Sequence, residues 1–152
     1  MITIRLINLK DIDRGFLDIL DNLVPAEMDK EKAKEILQNI SSNPRHKIFV
    51  AEDVMEDKNS TNVIVGTSTL LIEQKFIGKG MKIGYIEDVS VKKGYERQGI
   101  GRKLVSHVTD YAIHEESCTK VLLYCSSHNM PFYKKIGYKL LDDTLVMKFE
   151  KL

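Results

Sequence analysis

Residues 86–104 read IEDVSVKKGYERQGIGRKL, and this passage decides the fold. It begins as the end of a strand, IGYIEDVSV (83–91), crosses a short basic loop, and enters a helix at Gly99-Ile100-Gly101. The first backbone N–H groups of a helix have no partner inside it, and the helix dipole puts partial positive charge at the same point. Two glycines remove the Cβ atoms that would hold a bulky anion away. Arg97, Gln98, Arg102 and Lys103 surround the turn with donors. The combination suits a pyrophosphate. On spacing alone two readings stand level: an anion site, or a glycine-rich turn ahead of a basic helix. The passage lacks the Gly-Lys-Ser/Thr of a Walker loop, and Leu104 stands at the third glycine position of the dinucleotide fingerprint.

Working outward, the helix of residues 99–115 carries Ile100, Leu104, Val108, Tyr111 and Ala112 on one stripe. It leads to KVLLYC (120–125), a continuously apolar strand of the kind covered on both faces. Strands 83–91 and 120–125 around one helix predict a parallel crossover. Upstream, residues 2–8 alternate as a strand, and residues 10–23 and 27–40 show helical periodicity broken at Pro25. Residues 46–53 and 63–76 read as strands joined by the polar loop 55–62. A turn follows at 77–82. Downstream, a short helix over 129–136 ends at Gly137, and 138–140 and 144–149 read as closing strand segments. The chain reads as one α/β domain over 1–152 with a mixed sheet.

Composition agrees with one ordinary globular domain of 152 residues, 43% apolar and 30% charged. A net charge of +1 gives no reason to expect nucleic acid or an anionic membrane as partner. The start MITIRLINLKDIDRGFL lacks the apolar run of a signal peptide, and no stretch reaches the ~18 apolar residues of a membrane span. A cytoplasmic location is the expectation. Two cysteines and four scattered histidines predict neither a disulfide framework nor a metal site.

The loop resembles the coenzyme A loop of the GNAT superfamily of N-acetyltransferases, whose pattern is Gln/Arg-x-x-Gly-x-Gly/Ala. Here it stands as Glu96-Arg97-Gln98-Gly99-Ile100-Gly101, with both glycines in place and an acidic first position. IEDVSV, LLYCSSHNMPFYKKIGY (122–138) and KFIGKG (75–80) are in turn similar to the glucosamine-6-phosphate N-acetyltransferase family, over residues 70–140. The resemblance implies a GNAT fold, with a strongly twisted mixed sheet flanked by about four helices. It implies acetyl-CoA as cosubstrate, no metal, and direct transfer to an amine in amino-sugar (UDP-GlcNAc precursor) synthesis. A homodimer is implied too, the partner helping to form the sugar site.

The same resemblance assigns residues. Arg97, Gln98, Gly99, Ile100, Gly101 and Arg102 would hold the pyrophosphate. A bulge between Glu87 and Ser90 would turn Val89, Ser90 and Val91 toward the pantetheine arm, with an N–H near Val89 facing the oxyanion. Asn129 would bond the arm, and Tyr133 would protonate the leaving thiolate. Lys75, Phe76, Ile77, Glu87, Asp88 and Tyr124 would line the acceptor side.

Read as chemistry alone, Glu87 and Asp88 can accept the proton that an attacking amine must lose. In a regular strand they point to opposite faces, and a bulge redirects one of them. Tyr133 follows Asn129 by one helical turn, and a phenol with pKa about 10 can protonate a thiolate. Asn129 ahead of Met130-Pro131 also suits a helix N-cap. Cys125 and Phe132 read as core, His107 and His114 as surface, and His128 as near the cleft.

The acceptor half departs from the family at four places. Tyr124 replaces an acidic residue, Gly78 a histidine, Val24 a threonine, and Glu150 a phosphate-clamping arginine. Lys148 and Lys151 are the nearby cations. Two rivals therefore stand beside the sugar reading: a GNAT enzyme acetylating a peptide, lysine or polyamine, and an inactive domain that only binds coenzyme A.

Overall fold

The computed structural model describes residues 1–55, 61–141, 146–148 and 150. Among these residues five strands form one sheet in the order β1-β2-β3-β4-β5: β1 (Ile2–Leu6), β2 (His46–Asp53), β3 (Val63–Gln74), β4 (Lys82–Val91) and β5 (Lys120–Leu123). β1 to β4 are antiparallel neighbours, and β5 runs parallel to β4. The parallel pair is connected through α4 (Ile100–Asp110), as the crossover reading requires. α1 (Phe16–Leu20) and α2 (Lys30–Ser41) cover the other face of the sheet. α3 (Ile77–Gly80) is a single turn at the β3–β4 connection, and α5 (Met130–Ile136) follows β5.

The apolar pattern of each element explains its placement. Ile12, Phe16, Ile19, Ala33 and Leu37 bury against Ile48, Val50 and Ile64 beneath α1 and α2. Val105, Val108 and Ala112 of α4 bury against Phe49, Leu70 and Ile86 on the opposite face. Ile100 and Leu104 continue that contact over Ala51 and Val65.

Several element boundaries differ from the sequence reading. The helix expected over 10–23 is split at Gly15, whose φ of 95° is left-handed. Before it, Leu9–Arg14 forms a 3₁₀ turn fixed by a capping box between Asn8 and Asp11. Asp11 is fully buried and accepts two hydrogen bonds from Arg5, at 2.7 and 2.9 Å. α2 starts at Lys30, where Asp29 caps the Lys32 N–H. α4 passes into a π turn at Tyr111–Glu115. β5 stops at Leu123, two residues early. Residues 138–140 join no strand. There the Tyr138 N–H is held by the Tyr133 carbonyl, and its hydroxyl shares a 2.6 Å hydrogen bond with Thr109 of α4. Of the segment 144–149, only 146–148 lie within the described residues, and they form no strand. Cys125 is exposed, and the buried thiol is Cys118.

α4 lies close to the sheet because β3 offers a glycine beneath it. A Cβ built on Gly66 would stand 2.8 Å from Leu104 Cδ1 and 3.3 Å from Ile100 Cγ2. Gly66→Ala should therefore cost about 1–3 kcal/mol through overpacking, read as a lowered midpoint in thermal unfolding. An unchanged midpoint would refute the close contact as a constraint on α4.

Candidate active site

The site begins where β4 and β5 part. β5 pairs only with Ile83 to Ile86, while β4 runs on to Val91. Among the described residues, 87–91 thus present a backbone edge with no strand beside it. On the other side, Thr69 pairs with Glu87 and Thr67 with Ser90, so Asp88 and Val89 together oppose the single residue Ser68. This is the bulge expected from the sequence, with Asp88 at a left-handed φ of 50°.

The bulge resets which face each side chain takes. Ile86 and Val89 both pack with the α4-side core. Glu87 shares the face of its partner Thr69, which lines a cavity of about 190 Å³ beneath α1 and α2. Asp88 lines the same cavity. Both carboxylates therefore stand on the α1–α2 face, which regular alternation forbids. Partial burial, with the nearby Asp88 charge adding to it, raises the Glu87 carboxyl above its ordinary value.

Backbone direction follows from the ladder. The Lys92 N–H donates to the Val65 carbonyl, which makes Gly66–Val91 a pair without mutual hydrogen bonds. The N–H and C=O of Val91 consequently face the open edge. Ser90 is turned the other way. It is buried, its backbone faces β3, and its hydroxyl donates to the Ile19 carbonyl at 2.8 Å. Among the three residues expected at the coenzyme edge, Ser90 thus offers no group to it.

Beyond the edge, Gly99 takes a left-handed φ of 78° and opens α4 with no side-chain cap. The first N–H groups of α4 are left for an external acceptor. Arg97, Gln98 and Arg102 are exposed around this turn. Ile100 contributes only backbone, because its side chain is buried with Leu104. Glu96, the acidic departure in the loop, folds back and accepts the Gly94 N–H at 2.6 Å, and Gln98 donates to the Gly94 carbonyl. Its charge is spent on the loop's own backbone.

Tyr133 is half-buried on the α4 side, packed in the cluster that includes Val89. Phe132 and Tyr138 meet its ring edge-on, at 5.0 and 6.1 Å between centroids. Burial first, then Cys125 and Tyr138, raises the phenol above its ordinary value, so it is protonated at neutral pH. Asn129 stands at the N-cap of α5 without a side-chain capping bond, and its amide is exposed. Phe132 is exposed rather than core, and lies 3.4 Å from where a Cβ on Gly101 would stand.

Sequence reasoning missed Glu73 and Tyr85. The Tyr85 hydroxyl donates to Glu73 at 2.9 Å, and Lys75 pairs with the other oxygen of Glu73 at 2.6 Å. Tyr85 precedes Glu87 by two residues, hence ~7 Å away on the same face. The alternation of β4 and its hairpin register to β3 were the signals that could have found it. Tyr124 lies just past β5 and is exposed. Phe76 and Ile77 project from the hairpin tip into solvent, outside this cluster. Lys148 is paired with Glu150. Among the described residues no group of three His, Cys, Asp or Glu side chains is placed to hold a metal, and no helix is long and apolar enough to cross a membrane.

Such an arrangement can take an anion at the start of α4 and an extended amide chain along β4. It sets two carboxylates on one side of that chain and a phenol on the other. The chain is similar to known proteins. The Acetyltransferase (GNAT) family matches residues 12–138. A glucosamine 6-phosphate N-acetyltransferase of Candida albicans is 36% identical over 97% of this chain and 95% of its own. A glucosamine 6-phosphate N-acetyltransferase of Oryza sativa is 30% identical, over 89% and 79%. The crystal structure of glucosamine-6-phosphate N-acetyltransferase from Arabidopsis thaliana superposes with a TM-score of 0.85 at 30% identity, covering 99% of both chains.

Gly101 separates fold from ligand in this site. A Cβ there meets only ordinary contacts with Phe132 and Val91. Gly101→Val should leave a folded protein whose affinity for acetyl-CoA, measured by calorimetry, falls more than about tenfold. Retained affinity would remove this turn from the coenzyme site.

Proposed function

This chain belongs to the acetyltransferase (GNAT) family, and we propose that it transfers the acetyl group of acetyl-CoA directly to the amine of glucosamine 6-phosphate. The reading is carried by one observation: the bulge turns Glu87 and Asp88 to one face, beside a β4 edge left open by β5. The relatives named for this activity support the acceptor. The product would be N-acetylglucosamine 6-phosphate, a precursor in UDP-GlcNAc synthesis, made in the cytoplasm.

In this mechanism the pantetheine arm lies along β4, bonded to backbone groups of Val89 and Val91 and to Asn129. The pyrophosphate rests on the start of α4, from Gly99 to Arg102, with Arg97 and Gln98 beside it. Glu87 takes the proton of the amine, directly or through water, and its raised pKa supports that role. Asp88 helps hold the ammonium before the proton leaves. The neutral nitrogen attacks the thioester carbon, and the N–H near Val89 faces the developing oxyanion. As the carbon–sulfur bond breaks, Tyr133 gives its proton to the thiolate, and the second proton that the nitrogen sheds on becoming an amide passes, directly or through water, to the Tyr133 phenolate and restores it.

Lys75, Phe76, Ile77 and Tyr124 belong to the acceptor side in this reading. The exposed apolar side chains at the hairpin tip support a homodimer in which a second copy completes that side. A second reading rests on charge. Lys75 and Lys148 are each paired with a glutamate, which favours an amine acceptor without a phosphate.

Thiol release from acetyl-CoA separates these readings. Turnover of glucosamine 6-phosphate is expected. Turnover of spermine or peptide amines alone would overturn the sugar assignment, and none with any amine would leave a coenzyme-binding domain. Tyr133→Phe should lower kcat by about 10²-fold while moving acetyl-CoA affinity less than twofold. An unchanged kcat would end the leaving-group role.

The pH profile tests Glu87. The base works ionised, so kcat/KM should fall as pH drops through its raised pKa. That acid limb should lie above the ~4.3 of an ordinary glutamate. Glu87→Gln should lower the rate and abolish the limb. A limb that persists in the variant would assign the base elsewhere.

A further inference from the structure

Residues 21–29 join α1 to α2, and Leu20 at the end of α1 and Met28 of the connection line the same cavity as Thr69 and Asp88. Two hydrogen bonds tie the end of α1 and the start of the connection to β4 just past the bulge. One is buried, from Ser90 Oγ to the Ile19 carbonyl at 2.8 Å. The second is at the surface, from Asn22 Nδ2 to the Val91 carbonyl at 3.0 Å. That carbonyl faces the open edge of β4. It has two lone pairs, so the Asn22 amide can hold one while an amide laid along the edge takes the other. A single side chain from the α1–α2 connection thus meets the donor track at one backbone atom.

We propose that Asn22 is a positioning residue for the transfer: its side-chain amide pins the α1–α2 connection, which lies beside Asp88, to the Val91 carbonyl, so that the Asp88 side of the bulge and the donor track along β4 are held in one fixed geometry. The inference rests on the acetyl-transfer reading above. It differs from a plain loop anchor in what it should cost. Misalignment of two bound reactants lowers the rate of their reaction without unfolding the protein. Asn22 is exposed and outside the three core clusters, so its variants should fold.

Asn22→Asp keeps the side-chain shape and removes the donor, while Asn22→Gln keeps a primary amide. In Asn22→Asp, kcat/KM for the amine acceptor should fall about five- to tenfold. The acetyl-CoA dissociation constant should move less than about twofold and the unfolding midpoint should be unchanged. Asn22→Gln should recover at least half of the loss. An unchanged acceptor kcat/KM in Asn22→Asp would overturn the proposal. So would an equal loss in Asn22→Gln, or a loss matched by the coenzyme constant or the midpoint. Hydrogen exchange of the amides of residues 20–28 with acetyl-CoA bound gives a readout independent of the acceptor. Exchange should be faster in Asn22→Asp than in the parent, and equal rates would overturn the proposal. If the parent fails to turn over glucosamine 6-phosphate, the acceptor assignment falls, and the exchange rates still decide the role of Asn22.

Discussion

Two residues of β4, Asp88 and Val89, occupy the space opposite one residue of β3, and the site depends on that mismatch. Without it, Asp88 would follow Ile86 onto the α4 face and bring a carboxylate into an apolar core, at a cost of several kcal/mol. With it, both carboxylates share the α1–α2 face and Val89 returns to the core. The bulge has its own costs. Asp88 sits at a φ that disfavours L residues by about 1–2 kcal/mol. Ser68, opposite it, keeps a fully buried hydroxyl with no partner among the described residues. Local costs of this kind gather where geometry is set by chemistry rather than by stability. They are offset by packing on each side of β4: Val89 and Val91 on α4, and Ser90 bonded to α1.

The same strand fixes the anion site. Gly66 lets α4 approach β3. The start of α4 therefore lies just beyond the end of the open edge, so one extended ligand can run along β4 and end on the helix. Net charge is only +1, so attraction for an anion has to be local. Glu96 would oppose it if its carboxylate faced outward. Its bond to the Gly94 N–H turns that charge into the loop, which is how an acidic residue is tolerated at a position usually held by Gln or Arg.

The central half of the molecule was legible because its signals are local. Strand 83–91, the helix start at Gly99 and the apolar strand at 120 are read from periodicity and from two glycines. The rest was hidden by long-range partners. Gly15 breaks a helix whose apolar spacing is intact, because Arg5 draws Asp11 into a capping box. Tyr138 looks like a strand residue, yet Thr109 holds its hydroxyl against α4. Asn129 has the residue type of a cap without making the bond. Cys125 continues the apolar run of a strand that ends two residues before it. Glu73 and Tyr85 carry no motif at all, since they meet only through the register of β3 and β4.

That register also shapes the acceptor problem. Lys75 reaches the sheet face already bonded to Glu73, and Glu73 is bonded again by Tyr85. Both bonds hold the Glu73 carboxyl below its ordinary value, so it stays charged across the neutral range. On the acceptor side proposed above, a phosphate that approaches Lys75 also meets this carboxylate, and like charges brought together repel. A phosphorylated acceptor must therefore draw Lys75 away from Glu73, or be held by cations from a second copy of the chain. A neutral or cationic amine faces no such barrier. Selectivity on this face is then a contest for one lysine. In the proposed reading its outcome depends on the three-residue chain Lys75–Glu73–Tyr85 more directly than on Glu87 and Asp88.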